Sequence, residues 1–379
     1  MSFLALSAAA SFLLALLLGA SAVLAPAAAL HVAFAMGVLP LIFGAMLHFV
    51  PVLTRTGTPH RLIGMLPMLA QAVGLLVVLA IQGLLPRWLL HPAASVDLLL
   101  AAILLGWLAH RARRTLGTPH PGWRWYAAAL SVLVLALAAV PPLVAGQASA
   151  ALRLFHVHAN TLGFVGLAAL GTLPVLMPTI LGRADTQAAP WLRRRLPVAL
   201  AGVLLLAVGA ATMWPLAVVG GAFLVVVALG LLVHWIKSFG LKALLVDGAS
   251  APLTAALCGY VLLLLFGAAH AAGVGGVGGV GGTAGIIPAF AAGFLLPLVT
   301  GALTQLLPVW RFAGPQTPAR HEMRRRLARA GRLRALILPI ASVAFLLDQE
   351  GVGAVGIAIG LGLFFADLFR ALRVPPPAR

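Results

Sequence analysis

The chain has 379 residues, of which 62% are hydrophobic and only 8% charged, with a mean hydropathy of +1.10. A soluble domain carries about 25% charged residues, so composition excludes one and points to an integral membrane protein. The formal net charge of +18 would suggest nucleic acid in a soluble chain. Here the basic residues sit between hydrophobic runs, where they orient a protein in its bilayer, and no nucleic-acid partner is expected. The apolar runs are too long and alternate too little for barrel strands, so the spans are helices. One cysteine, Cys258, excludes an internal disulfide and a cysteine-based zinc or iron–sulfur site.

Taken in order, the runs predict twelve transmembrane helices. The first, residues 3–25, ends in A-S-A-V-L-A, which resembles a signal-peptide cleavage region. No Lys or Arg precedes it, and removing it would break the repeat described below, so it is read as helix 1. Helices 2 to 6 are expected at about 28–53, 63–85, 94–110, 125–145 and 154–181. Helices 7 to 12 follow at about 196–214, 216–236, 251–271, 285–309, 335–350 and 352–371. Each is long enough, or nearly so, to cross a hydrocarbon core of roughly 30 Å at 1.5 Å per residue.

The loops test that count. Of the 25 basic residues, 23 fall after even-numbered helices, and only Arg87 and Arg153 fall on the other side. Positive residues stay cytoplasmic, so both termini are expected inside, in the cytoplasmic membrane of a bacterium. Trp107, Trp123, Trp125, Trp191, Trp235 and Trp310 cluster at the expected inner ends, as interfacial indoles do. Residues 272–282 read as a glycine-rich outer linker, and residues 311–334 as a basic cytoplasmic arm with a solvated or lipid-headgroup face.

Within helix 6, His158 is followed 13 residues later by Gly171 and 20 later by Pro178. Helix 2 has the same frame in His31, Gly44 and Pro51, and helix 10 has it without the histidine in Pro288, Gly301 and Pro308. The glycines are 127 and 130 residues apart, and so are the prolines. The expected architecture is therefore all-α: twelve membrane helices in three pseudo-symmetric four-helix repeats, about 1–122, 123–250 and 251–379, forming a single membrane domain. In each repeat the glycine would allow close helix approach and the proline would end or kink the span.

Ionisable side chains are expensive inside a membrane and usually face the bundle interior or a cavity. His31, His156, His158 and His270 all lie towards the outer ends of their helices, and a neutral imidazole is a common ligand for haem iron and copper. The ordinary alternative for each is hydrogen bonding at the headgroups. His156 and His158 are about 200° apart around a helix, so only one of them can face a common centre, and the sequence leaves open which. Asn160 shares the face of His156 and could orient it through a hydrogen bond. His48, His110 and His234 read as interfacial, Met36, Met46, Met177 and Met213 as packing, and Gln71, Gln82 and Gln305 as interhelical hydrogen-bonders. Carboxylates read as scarce and peripheral: Asp97, Asp348 and Glu350 at outer helix ends, and Asp367 paired with Arg370.

The stretches H-V-A-F-A-M-G-V-L-P-L-I-F-G-A-M-L-H-F-V-P and H-V-H-A-N-T-L-G-F-V-G-L-A-A-L-G-T-L-P-V-L-M-P, with the twelve-helix topology, resemble the haem-copper oxidase subunit I superfamily. They look like its divergent relatives, among them the NnrS-type haem- and copper-containing membrane proteins linked to nitric-oxide stress and denitrification. The resemblance implies that His31 corresponds to a ligand of the low-spin haem, and His156 or His158 to a copper-centre histidine. It also departs from the family: neither helix 7 nor helix 10 has a histidine, so the standard binuclear centre cannot be assembled. What remains is an expected membrane redox protein with haem b, copper or both, held by His31, His156 and His158, with His270 as a further candidate, and with the lipid bilayer and an electron-donor protein as partners. The alternatives are a transporter or channel for a metal ion or small solute, and a cofactor-less subunit or assembly factor.

Overall fold

The structure is a computed structural model that describes residues 2–21, 23–146, 150–272, 285–314 and 316–375. The glycine-rich linker, beyond Ala272, and Arg379 lie outside the described residues. No water is available in a hydrocarbon layer, so a spanning backbone must bond to itself, and helices do this locally. All regular structure among the described residues is helical, and eleven helices are long and apolar enough to cross a membrane.

These are α1 Ser2–Ala20, α2 Pro26–Thr54, α3 Arg61–Ile81, α4 Arg87–Arg113, α5 Gly122–Val144, α6 Ala150–Leu181, α7 Ala188–Thr212, α8 Trp214–Phe239, α9 Ser250–Ala271, α10 Ile286–Arg311 and, after the shorter α11, α12. The last of these, α12, spans Glu350–Leu372. Between it and α10 lies α11, Gly331–Leu346, with 16 residues or about 24 Å, short of a hydrocarbon core of about 30 Å. Two shorter helices, Leu241–Val246 and Pro318–Ala328, complete the described chain.

Most ends fall within a few residues of expectation. The start of α4 is earlier, at Arg87 rather than 94. Pro92 sits in the first turn after Leu90, where a missing N–H costs nothing.

The helices form two compact units, residues 3–172 with 186–220, and residues 173–185 with 221–379. In the first, α1 lies on α2, where a Cβ at Gly37 would stand 3.3 Å from that of Ser11. Gln71 of α3 donates to Ser7 of α1 and to the Met36 carbonyl of α2, and Gln82 bridges Val23 and Ala25, as expected of polar groups between helices. Trp125 and, in the second unit, Trp235 are fully buried. The Trp125 ring stacks on Trp191 at 5.9 Å, and its Nε1–H donates to the Leu192 carbonyl at 3.0 Å. Met46 and, in the second unit, Met177 are fully buried packing residues, while Met213 is exposed.

In the second unit, the basic segment 311–334 is docked structure rather than a free arm. Pro318–Ala328 buries Met323 and Leu327. Arg324 joins three segments: its Nε donates to Gln305 of α10 at 2.7 Å, and its Nη2 to Asp247 at 3.1 Å and to the Ile180 carbonyl at 3.3 Å. Arg334, at the start of α11, is fully buried and donates to Asp367 of α12 at 2.8 Å and to the Leu327 carbonyl at 3.0 Å. Asp367 therefore has Arg334 as its main partner. Arg370, expected in that role, stands at 3.5 Å and is half exposed. His234 pairs with Asp185 at 2.7 Å.

Candidate functional site

Three spans, α2, α6 and α10, share two local features. Each contains a stretch of wide turns with i→i+5 hydrogen bonds: Phe34–Val38, Ala159–Val165 and Ala291–Leu295. These stretches end six residues before Gly44, Gly171 and Gly301 respectively. Each span also stops three residues after its proline: Pro51 and Thr54, Pro178 and Leu181, Pro308 and Arg311. The prolines end the spans as the sequence suggests, one turn late, because a proline removes only the bond back to the preceding turn.

Close neighbours hold the wide turns in place. A Cβ at Gly74 of α3 would stand 2.6 Å from the Ala35 carbonyl oxygen, and one at Gly163 would overlap Val132 of α5. In the second unit a Cβ at Gly259 would overlap the Gly293 carbonyl, and Ser342 donates to the Ala289 carbonyl at 2.9 Å. Below the wide turns, Gly171 receives the Trp125 side chain and Gly301 the Leu253 side chain, so both glycines do permit close approach.

In α2 and α6 the imidazoles stand immediately before the wide turns. The Nδ1–H of His31 donates to the Ala27 carbonyl at 2.7 Å, and that of His158 to the Leu154 carbonyl at 2.8 Å, each one turn back on its own helix. The Nδ1–H of His156 instead crosses to α5 and donates to the Ala136 carbonyl at 2.9 Å. A carbonyl can only accept, so all three rings carry their proton on Nδ1 and present the Nε2 lone pair. A backbone partner sets the same tautomer and ring orientation in imidazoles that bind metals.

His156 and His158 lie on an ordinary α-helical stretch, so they do diverge. His156 is the one that engages a second helix, and it shares the first unit with His31. The candidate pair is therefore His31 with His156, both half-buried in the first unit. Asn160 does not orient the ring through an in-plane hydrogen bond. Its Nδ2 donates to the His156 backbone carbonyl at 2.7 Å and stands 3.5 and 3.4 Å from the two ring nitrogens, so it lies over the ring rather than in line with either. His270 belongs to the second unit, in the last turn of α9.

Among the described residues, no three of His, Cys, Asp and Glu stand close enough to hold one metal ion together. The donor set is thus a pair of imidazoles. A haem iron takes one or two axial imidazoles, and a copper ion held by three side chains would need a donor beyond this pair. Two features escape sequence reasoning: the wide turns, which have no composition signal, and Asp97, whose burial follows from the early start of α4. The chain matches no protein-family model and no curated protein.

Proposed function

We propose that the chain is a multi-pass protein of the bacterial inner membrane that binds haem b, with copper as the alternative metal, and works as a redox protein. In this reading it is a divergent relative of haem-copper oxidase subunit I, of the NnrS-like kind, acting in nitric oxide, denitrification or respiratory chemistry. One observation carries the reading: His31 and His156 share a unit, and each presents Nε2 because a backbone carbonyl holds Nδ1–H. A haem iron would supply one-electron transfer and a coordination position for a diatomic molecule. The residues' own part is orientation. The Ala136 carbonyl fixes the His156 ring from a neighbouring helix, and Asn160 covers its face.

The finer architecture belongs to the same proposal: twelve crossings in three four-helix repeats. Equal placement of the wide turns and of the terminal prolines in α2, α6 and α10 supports the repeat. Counting α11 as a crossing keeps 23 of 25 basic residues on one side, and both termini are then cytoplasmic. With that orientation, His31 and His156 lie near the outer face, within reach of an electron-donor protein.

The test is an oxidised-minus-reduced spectrum and an iron and copper assay on protein purified from haem-replete cells. We expect a haem b spectrum that His31→Ala and His156→Ala each abolish or shift, and that His158→Ala leaves in place. Absence of both metals overturns the reading in favour of a transporter, a channel or a cofactor-less subunit.

A further inference from the structure

The chain has seven carboxylates, and six are accounted for. Asp185 pairs with His234, Asp247 with Arg324, Glu322 with Arg325 and Arg326, and Asp367 with Arg334 and Arg370. Asp348 and Glu350 are exposed. The seventh, Asp97, is 5% exposed, and its Oδ1 is buried with no hydrogen-bond partner among the described residues. It was expected at a solvated helix end. Because α4 begins at Arg87, it stands ten residues inside the span instead, about 15 Å along the axis.

Its direction is fixed by the residues around it. Leu90, Ala93, Ala94, Asp97, Leu100, Ala101, Leu104 and Leu108 are the buried stripe of α4, at three- and four-residue spacing on one face. That face packs against α3, α5 and the second half of α2. Those elements carry Arg61, His48, Arg124 and Tyr126 as their titratable groups, all towards the ends that meet the Arg113 end of α4. On α4 itself, Arg87 and His91 are ten and six residues before Asp97, and His110, Arg111 and Arg113 lie at the far end. No cation neutralises Asp97 among the described residues.

An unpaired carboxylate in such a place is too costly to persist, so the group carries a proton or finds one. The cost is not offset by packing: an apolar side chain would fill the stripe without penalty. We propose that Asp97 is a proton-binding site within the membrane-spanning part of the first unit, taking a proton onto the carboxylate and returning it to water as the protein works. This inference does not require the imidazoles to hold a cofactor, and the two can fail separately.

The test uses the full-length protein and an apolar reagent, N,N′-dicyclohexylcarbodiimide, which reacts with protonated carboxyls inside membranes. We expect an adduct on Asp97, none on the solvated Asp348 and Glu350, and labelling of Asp97 that falls to background as pH is raised. In parallel, infrared pH-difference spectra should show a protonated-carboxyl C=O band that disappears in Asp97→Asn. If Asp97→Asn does not fold, the pH dependence of labelling in the unaltered protein decides alone. Absence of the adduct at every pH, an adduct independent of pH, or an infrared band unchanged in a folded Asp97→Asn protein overturns the proposal.

Discussion

Arg334 and Asp367 meet across 33 positions of sequence, guanidinium nitrogen to carboxylate oxygen at 2.8 Å, with both side chains closed off from solvent. Asp367 also accepts from the Ala330 N–H at 2.9 Å, and the Arg334 guanidinium lies 5.4 Å from the Phe364 ring centroid. Removing one partner leaves the other charge buried alone, so Arg334→Ala or Asp367→Ala should each cost about 3–5 kcal/mol of stability. Arg370→Ala, which removes a half-exposed partner at 3.5 Å, should cost under about 1 kcal/mol. The double change Arg334→Met with Asp367→Leu should recover most of the loss. Thermal unfolding in detergent measures all four, and equal losses for Arg334→Ala and Arg370→Ala would contradict the assignment of the main partner.

Gly259 and Gly267 lie on the same helix but face different surroundings. A Cβ at Gly259 would run into the Gly293 carbonyl in the wide turn of α10, where the obstacle is backbone; a Cβ at Gly267 would meet nothing within 4 Å. Gly259→Ala should therefore destabilise by roughly 1–3 kcal/mol or more. Gly267→Ala should be neutral or stabilising by up to about 1 kcal/mol, because alanine is the better helix former. Unfolding midpoints of the two variants should move in opposite directions, and a shared shift would show that the contact is not what limits the site.

His120, in the connection between α4 and α5, predicts a pH dependence. Its backbone N–H donates to the Leu53 carbonyl at 2.9 Å, and its Nδ1 accepts from the Gly122 N–H at 3.3 Å. Burial, and secondarily the positive charge of Arg193, hold its pKa below the usual 6.5. The unfolded chain then takes up the proton first as pH falls, so the folded state loses stability from about pH 6.5 downward until the folded-state pKa is passed. Above pH 6.5 the ring is neutral in both states and contributes nothing. His120→Asn, which keeps an acceptor near the Gly122 N–H, should show a smaller decline in unfolding midpoint between neutral and mildly acidic pH. An identical decline in both proteins would assign the effect elsewhere.

The eleven long apolar helices were legible because their cause is local: a run of apolar residues long enough to cross a bilayer, closed by arginines or prolines. The frame linking His31 to Pro51 and His158 to Pro178 was legible for the same reason, as spacing along one helix. What stayed hidden depends on partners far away in sequence. Nothing in α6 says that His156 rather than His158 reaches α5, since the acceptor is a backbone carbonyl, and every residue has one. Arg334 reads as one more positive charge in a basic loop until Asp367 is seen to be its partner. Asp97 was misplaced because helix 4 was expected to start near residue 94, whereas α4 starts at Arg87 and takes Pro92 into its first turn.

The wide turn in α6 separates that helix into two parts that answer to different neighbours. It holds one residue more than an ordinary turn, which rotates everything after it by about 100° relative to everything before. His156 stands ahead of that offset and Gly171, against Trp125, behind it. The half that fastens the span into the bundle is thereby offset from the half that carries imidazoles, so side chains can be gained, moved or lost at one end while the joint at the other keeps its fit.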